Sequence, residues 1–296
     1  MKDLIVVRGG GDIATGTIMK LYQCGFSVLV LETPTPSAIR RNVAFCEAVY
    51  QGSQTVEDVT CYLAKDSKEA AAFLEEGKLT MLIDPEGECL KEVGMNGDVL
   101  PESGLQESGQ PENSLRDFRI LALVDGILAK KNLGTSREMA PITVALGPGF
   151  VAGEDVDAVI ETKRGHNLGR VIYEGSAAPN TGVPGKIAGF DKERVIHSPA
   201  EGILRNVASI TDTVKKGQTI AIIENETETI PVEATLDGLL RGLIRDGYPV
   251  TRGFKIADID PRADEYNNCF TISDKARTVA GGALEAILHL KMERGL

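Results

Sequence analysis

Three stretches carry residues whose types and spacing can do chemistry. The first is Gly9-Gly10-Gly11-Asp12-Ile13-Ala14, which follows the apolar run Leu4-Ile5-Val6-Val7 and opens a helical pattern from Ile13 to Cys24. Glycines at the first and third positions and a small residue three further on let a chain turn tightly, bring its backbone close to a pyrophosphate and pack helix on strand. The N–H groups at the helix start then face one anion, with Arg8 beside them. Glu32 ends the next apolar run, twenty-one positions after Gly11, where a carboxylate accepts from ribose hydroxyls and repels a 2′-phosphate. This pattern expects NAD or another adenine nucleotide, although Arg40-Arg41 nearby weakens the discrimination against NADP. A tight turn that has lost its ligand is the alternative.

The second stretch, Glu161-Thr162-Lys163-Arg164-Gly165-His166-Asn167-Leu168-Gly169-Arg170, gathers a carboxylate, two guanidinium groups and an imidazole around two glycines. Arg164 or Arg170 can hold an anion bidentately and an imidazole can donate or accept a proton, so His166 is a candidate acid or base. The third feature is a carboxylate after a strand-like run: Asp84 after Leu79 to Ile83, and Asp125 after Ile120 to Val124. In open α/β sheets that edge faces the ligand crevice, so Asp125 joins His166 as a catalytic candidate. Helix caps and solvated loop residues are the plainer readings of both. The expected functional centre is where the glycine loop, Asp125 and the Arg164–Arg170 segment converge. Three scattered histidines, none near a cysteine, make no zinc pattern, and no GxSxG, HExxH or phosphate-loop lysine is present.

The elements that must position these residues alternate strand and helix through the first hundred positions, which argues for a parallel sheet. The expected division is a Rossmann-like nucleotide-binding domain over 1–100, a mobile loop or linker over 101–115, and a glycine-rich α/β region over 116–190. A β barrel-sandwich module follows over 191–260 and a C-terminal helix over 261–296. The fold class is therefore α/β with a β appendage. The module is read from an internal repeat: Glu201-Gly202-Ile203-Leu204-Arg205 aligns with Asp237-Gly238-Leu239-Leu240-Arg241, and the same 36-residue offset pairs Val214 with Val250 and Ile220 with Ile256. Its halves resemble the hammerhead of biotinyl and lipoyl domains. Thr227 stands where the acyl-accepting lysine would be, so no covalent biotin or lipoate is expected.

Composition narrows the classes. Of 296 residues, 42% are hydrophobic and 25% charged, with no apolar run near the roughly 20 residues of a bilayer span. Forty-three acidic against thirty-two basic residues give a net charge of −11, which repels nucleic acid and anionic lipid. Neither is an expected partner. Five cysteines, no two closer than fifteen positions, form no disulfide framework, and the N-terminus shows no secretory pattern. A cytoplasmic setting fits, and homo-oligomerisation is left open.

Taken together, RGGGDIATG, VDG with AKKNLGT, ALGPGFVAG, DVDAVIETKRGHNLGRVI, PNTGVPG and KIADIDPR resemble the YqeB-like family of selenium-dependent molybdenum hydroxylase system proteins, itself similar at a distance to XdhC/CoxI accessory proteins. The resemblance implies a maturation factor with a molybdenum hydroxylase client and a molybdopterin-type ligand. An NAD-dependent oxidoreductase and a non-catalytic docking scaffold are the alternatives.

Overall fold

Lys2–Arg8 forms strand β1, and Leu4 to Val7 within it are fully buried, as a strand covered on both faces requires. Gly9, with φ of +86°, turns the chain into helix α1 (Asp12–Gln23). Only glycine suits this point, because a Cβ would also lie 3.0 Å from the Ile127 Cα. Strand β2 (Ser27–Glu32) returns parallel to β1. Helix α2 (Ala48–Gln51), strands β3 (Ser53–Val56) and β4 (Val59–Ala64), helix α3 (Ser67–Glu75) and strand β5 (Leu79–Ile83) follow. Asp66 caps α3 by accepting the Glu69 N–H at 2.8 Å.

The computed structural model describes residues 2–93, 114–182, 187–262 and 264–296. Positions 101–113 of the expected linker lie outside the described residues. The chain divides into two units. The first comprises Met1–Pro36, Ala44–Asn180 and Ile272–Leu296; the second comprises Ser37–Val43 and Thr181–Thr271.

In the first unit, β6 (Phe118–Asp125) pairs with β1 on the side opposite β2, and β7 (Thr143–Leu146), β8 (Ala158–Ile160) and β9 (Val171–Ile172) extend the sheet. The order is β3-β4-β5-β2-β1-β6-β7-β8-β9. The strands from β4 to β8 in this order run parallel, while β3 and β9 are antiparallel edges. Helix α4 (Asp274–Arg294), capped by Ser273 accepting from Ala276 N, packs on α1 and on β7, β8 and β9.

The second unit contains β10 (Val195–His197), β11 (Gly202–Asn206), β12 (Thr213–Val214), β13 (Thr219–Glu224), β14 (Thr229–Glu233), β15 (Gly238–Leu243), β16 (Pro249–Val250) and β17 (Lys255–Asp260). They form two four-stranded antiparallel sheets, β10-β17-β15-β12 and β14-β13-β11-β16, around a core that includes Leu204, Ile220, Leu240 and Ile256. Strands β11, β12 and β13 recur 36 residues later as β15, β16 and β17. The halves exchange partners: Gly202 pairs with Val250, and Gly238 with Val214. At both glycines a Cβ would collide with a carbonyl, 2.4 Å from Glu224 O and 2.3 Å from Asp260 O.

These arrangements correct the expected fold class. The large sheet is mixed rather than a Rossmann-like parallel one, and the glycine-rich middle supplies its second half. After β6 the crossovers are loops: 126–142 holds only the short turn Arg137–Met139, and 147–157 holds no helix. The helical covering of that half comes from α4 instead. The β appendage is a pair of open sheets with unpaired edges rather than a closed barrel-sandwich.

Candidate functional site

Because β2 and β6 flank β1 on opposite sides, the connections leaving β1 and β6 lead to opposite halves of the sheet, and it is at such switch points that α/β sheets form ligand crevices. Arg8 and Asp125 are register partners at that edge, and Gly126 N donates to Arg8 O at 2.8 Å. Ala14 owes its small size to this junction. A Cβ on Gly126 would lie 2.8 Å from the Ala14 Cβ, so helix, turn and second loop are in contact.

The three glycines have separate duties. Gly9 N donates to Leu31 O at 2.8 Å, and Gly10 N donates to Glu32 Oε2 at 2.7 Å. The other Glu32 oxygen accepts from Thr33 N at 2.7 Å. Glu32 is therefore not displayed to a ribose; it is buried and ties the end of β2 to the turn. Burial raises its pKa, against the opposing effect of the Thr33 and Gly10 N–H groups. Gly10 has no spare room, since a Cβ would lie 3.0 Å from Cys46 N. Gly11 is different: with φ −65° and ψ 174° it is the N-cap of α1 and has no side chain with which to cap it, and among the described residues no heavy atom beyond its chain neighbours lies within 4 Å of where its Cβ would stand. The N–H groups of Gly11, Ile13 and Ala14 have no acceptor among the described residues. Asp12 occupies the first turn, where a carboxylate complements the positive helix end.

Below the turn lies a buried polar network. Arg8, 4% exposed, donates from one terminal nitrogen to Thr135 Oγ1 at 2.6 Å and from the other to Pro85 O at 2.8 Å. Thr135 donates in turn to Asp125 Oδ2 at 2.7 Å, and Ile127 N donates to Asp125 Oδ1 at 3.1 Å. Burial raises the Asp125 pKa, opposed by Thr135, Ile127 and the Arg8 charge. Asn132 fixes Thr135 by accepting from its N–H at 2.9 Å. Arg8 and Asp125 are thus committed to one another through a hydroxyl.

The Arg164–Arg170 segment stands elsewhere. It leaves β8, which β6 and β7 separate from β1, so the expected convergence with the glycine loop does not occur. Arg164 forms a bidentate pair with Asp274 of α4, at 2.7 and 2.9 Å. His166 and Arg170 are exposed, and neither side chain has a hydrogen-bond or ionic partner among the described residues. Glu161 accepts from Lys163 N at 2.7 Å and Ala178 N at 2.8 Å. Asp84 likewise accepts from Glu88 N and Cys89 N, at 2.9 and 2.8 Å. Four carboxylates at strand ends, Glu32, Asp84, Asp125 and Glu161, organise the loops that follow.

Sequence reading quoted Gly126, Asn132 and Thr135 within VDG and AKKNLGT without giving them a role, and missed the ionic cluster in which Arg137 and Arg294 donate to Asp157. No group of three or more His, Cys, Asp or Glu among the described residues could hold a metal ion, and no described helix is long and apolar enough to cross a membrane.

No family model matches the chain. Among curated proteins it is 47% identical over 294 residues to the Escherichia coli (strain K12) protein described as "Uncharacterized protein YqeB", a match over 99% of this chain and 48% of that protein. The chain spans about half the length of that relative. The resemblance to YqeB therefore stands as similarity along nearly all of this chain. Solved structures that are similar include a succinylglutamate desuccinylase/aspartoacylase from Rhodobacter sphaeroides, at 20% identity over 30% of each chain and a TM-score of 0.22. Another is the product-bound ectoine utilization protein EutE (DoeB) from Ruegeria pomeroyi, at 10% identity over 87% of this chain and 85% of that one, with a TM-score of 0.27. A third is an aspartoacylase family protein from Mesorhizobium loti, at 9% identity over 88% and 85%, with a TM-score of 0.26. These neighbours are described as desuccinylase, aspartoacylase and ectoine-utilization proteins rather than XdhC-like accessory proteins, so the expected maturation of a selenium-dependent molybdenum hydroxylase finds no support among them. At such TM-scores they lend this chain no activity.

Proposed function

We propose that the first unit binds an adenine nucleotide whose phosphates lie over Gly11 at the amino end of α1. The observation that carries this reading is the combination at Gly11: open space where a side chain would stand, an N-cap residue with no side chain of its own, and N–H groups of Gly11, Ile13 and Ala14 without acceptors among the described residues. Donors of this kind, backed by the helix dipole, favour a phosphate. Their place where the strand order switches between β1 and β6 supports the same reading.

The inward turn of Glu32 changes the expected selectivity. With both oxygens engaged by Gly10 and Thr33, its carboxylate does not face a ribose, so NADP is bound as well as NAD. Calorimetric titration with AMP, ATP, NAD, NADP and adenosine tests the proposal. Phosphate-bearing ligands bind and adenosine binds at least tenfold more weakly. Equal affinity for adenosine, or no heat from any of the five, contradicts it.

A further inference from the structure

A concavity lies at the β9 edge of the large sheet. Its volume is about 360 Å³, and Glu161, Arg170, Val171, Ile172, Tyr173 and Glu174 are among the residues that line it. That size is within the range of small-molecule sites. The walls are held by contacts of their own. Glu161, 6% exposed, accepts from Lys163 N at 2.7 Å and from Ala178 N at 2.8 Å, joining the two segments that flank the cleft. Gly169, with φ of +79°, packs so tightly that a Cβ would lie 2.7 Å from Thr278 O. Ala152 and Gly175 exchange backbone hydrogen bonds of 2.7 and 3.2 Å. Tyr173 rests against the His289 ring, with centroids 5.2 Å apart.

Two charges at this cleft, unlike that of Glu161, are unspent. Arg119, Arg137, Arg164, Arg277 and Arg294 of the same unit are all ion-paired. Arg170 and Glu174 line one cleft, yet neither makes an ion pair with any described residue, nor with the other. Between them Val171 and Ile172 offer half-buried apolar surface. A plain anion would meet Glu161 and Glu174 as well as Arg170, and a plain cation would meet Arg170. A molecule carrying both charges satisfies each.

We infer that this cleft binds a zwitterion, an α-amino acid with an apolar side chain, its carboxylate on Arg170, its ammonium on Glu174 and its side chain along Val171 and Ile172. The guanidinium presents the planar fork that matches a carboxylate, and an ammonium donates to a carboxylate as a charge-assisted pair. This inference is independent of the nucleotide reading, because it concerns the far edge of the sheet.

The test titrates the full chain with L-alanine, L-valine, L-leucine and L-phenylalanine, and then compares the best binder with its amide, which lacks the carboxylate, and with the carboxylic acid that lacks the amine. The amino acid binds, and each analogue binds at least tenfold more weakly. Arg170→Gln and Glu174→Gln, both at exposed positions, weaken the amino acid by a similar factor and keep the unfolding temperature. Three results overturn the inference: no binding by any of the four, equal affinity for the carboxylic acid, or unchanged affinity in both variants.

Discussion

Thr135 serves two charged partners with one hydroxyl, accepting from Arg8 and donating to Asp125. Thr135→Val keeps the shape and removes both bonds, leaving a buried guanidinium and a buried carboxyl short of partners. The expected cost is about 2–3 kcal/mol, read as a lower urea midpoint, because uncompensated buried polar groups lose their hydration without replacement. A change within 0.5 kcal/mol would show that the hydroxyl is not what couples them. Asp157 gives a pH-dependent counterpart. Burial alone would raise its pKa, but the Arg294 guanidinium and the Thr143 N–H and hydroxyl outweigh this, and the net direction is down. A carboxyl lowered in the folded state stabilises above its unfolded pKa, near 4, and that contribution is lost as pH falls through its folded value. Asp157→Asn should therefore be less stable at pH 7, by about 1.5–3 kcal/mol, and should lose less than the parent between pH 5 and pH 2. Parallel acid profiles would remove Asp157 from the acid response.

Adjacent glycines in α4 separate helix propensity from packing. Gly281 has nothing within 4 Å of a built Cβ, whereas Gly282 would place one 2.2 Å from Gly169 O. Gly281→Ala should stabilise by about 0.5–1 kcal/mol, the ordinary gain from removing glycine inside a helix. Gly282→Ala should instead destabilise, by about 1–3 kcal/mol, because backbone must move. Thermal unfolding of the two variants reads the sign directly, and stabilisation by both would deny the close approach of α4 to Gly169. In the second unit Asn225, rather than a modified lysine, organises the β13–β14 hairpin: its Oδ1 accepts from Thr227 N, Thr227 Oγ1 and Glu228 N, each at 3.0 Å. Intact mass after growth with biotin and lipoate should match the bare chain, and an added biotinyl or lipoyl mass would overturn that expectation.

At the scale of the whole molecule, the legible parts are those fixed by neighbours in sequence. The run Leu4 to Val7 marks β1, Gly9 marks its turn, and Ser273 with Val279, Ala283, Ala286, Ile287 and Leu290 marks the cap and buried face of α4. The rest depends on partners far along the chain. Arg8 meets Thr135 across 127 positions, and α4 covers strands more than a hundred residues upstream. Nothing local tells a strand-end carboxylate whether to face a ligand or its own backbone, which is why Glu32 reads as a ribose acceptor and folds as a brace for Gly10. The glycine repeats of the middle region signal loops faithfully, but not that those loops would replace crossover helices in one mixed sheet. Gly11, where a Cβ would face open space among the described residues, gives the most direct measurement. Gly11→Val should still fold, since its side chain enters open space and the poorer N-cap costs only about 1 kcal/mol, and should bind ATP at least tenfold more weakly by calorimetry. ATP affinity equal to the parent's in a folded Gly11→Val chain would contradict a phosphate site at the amino end of α1.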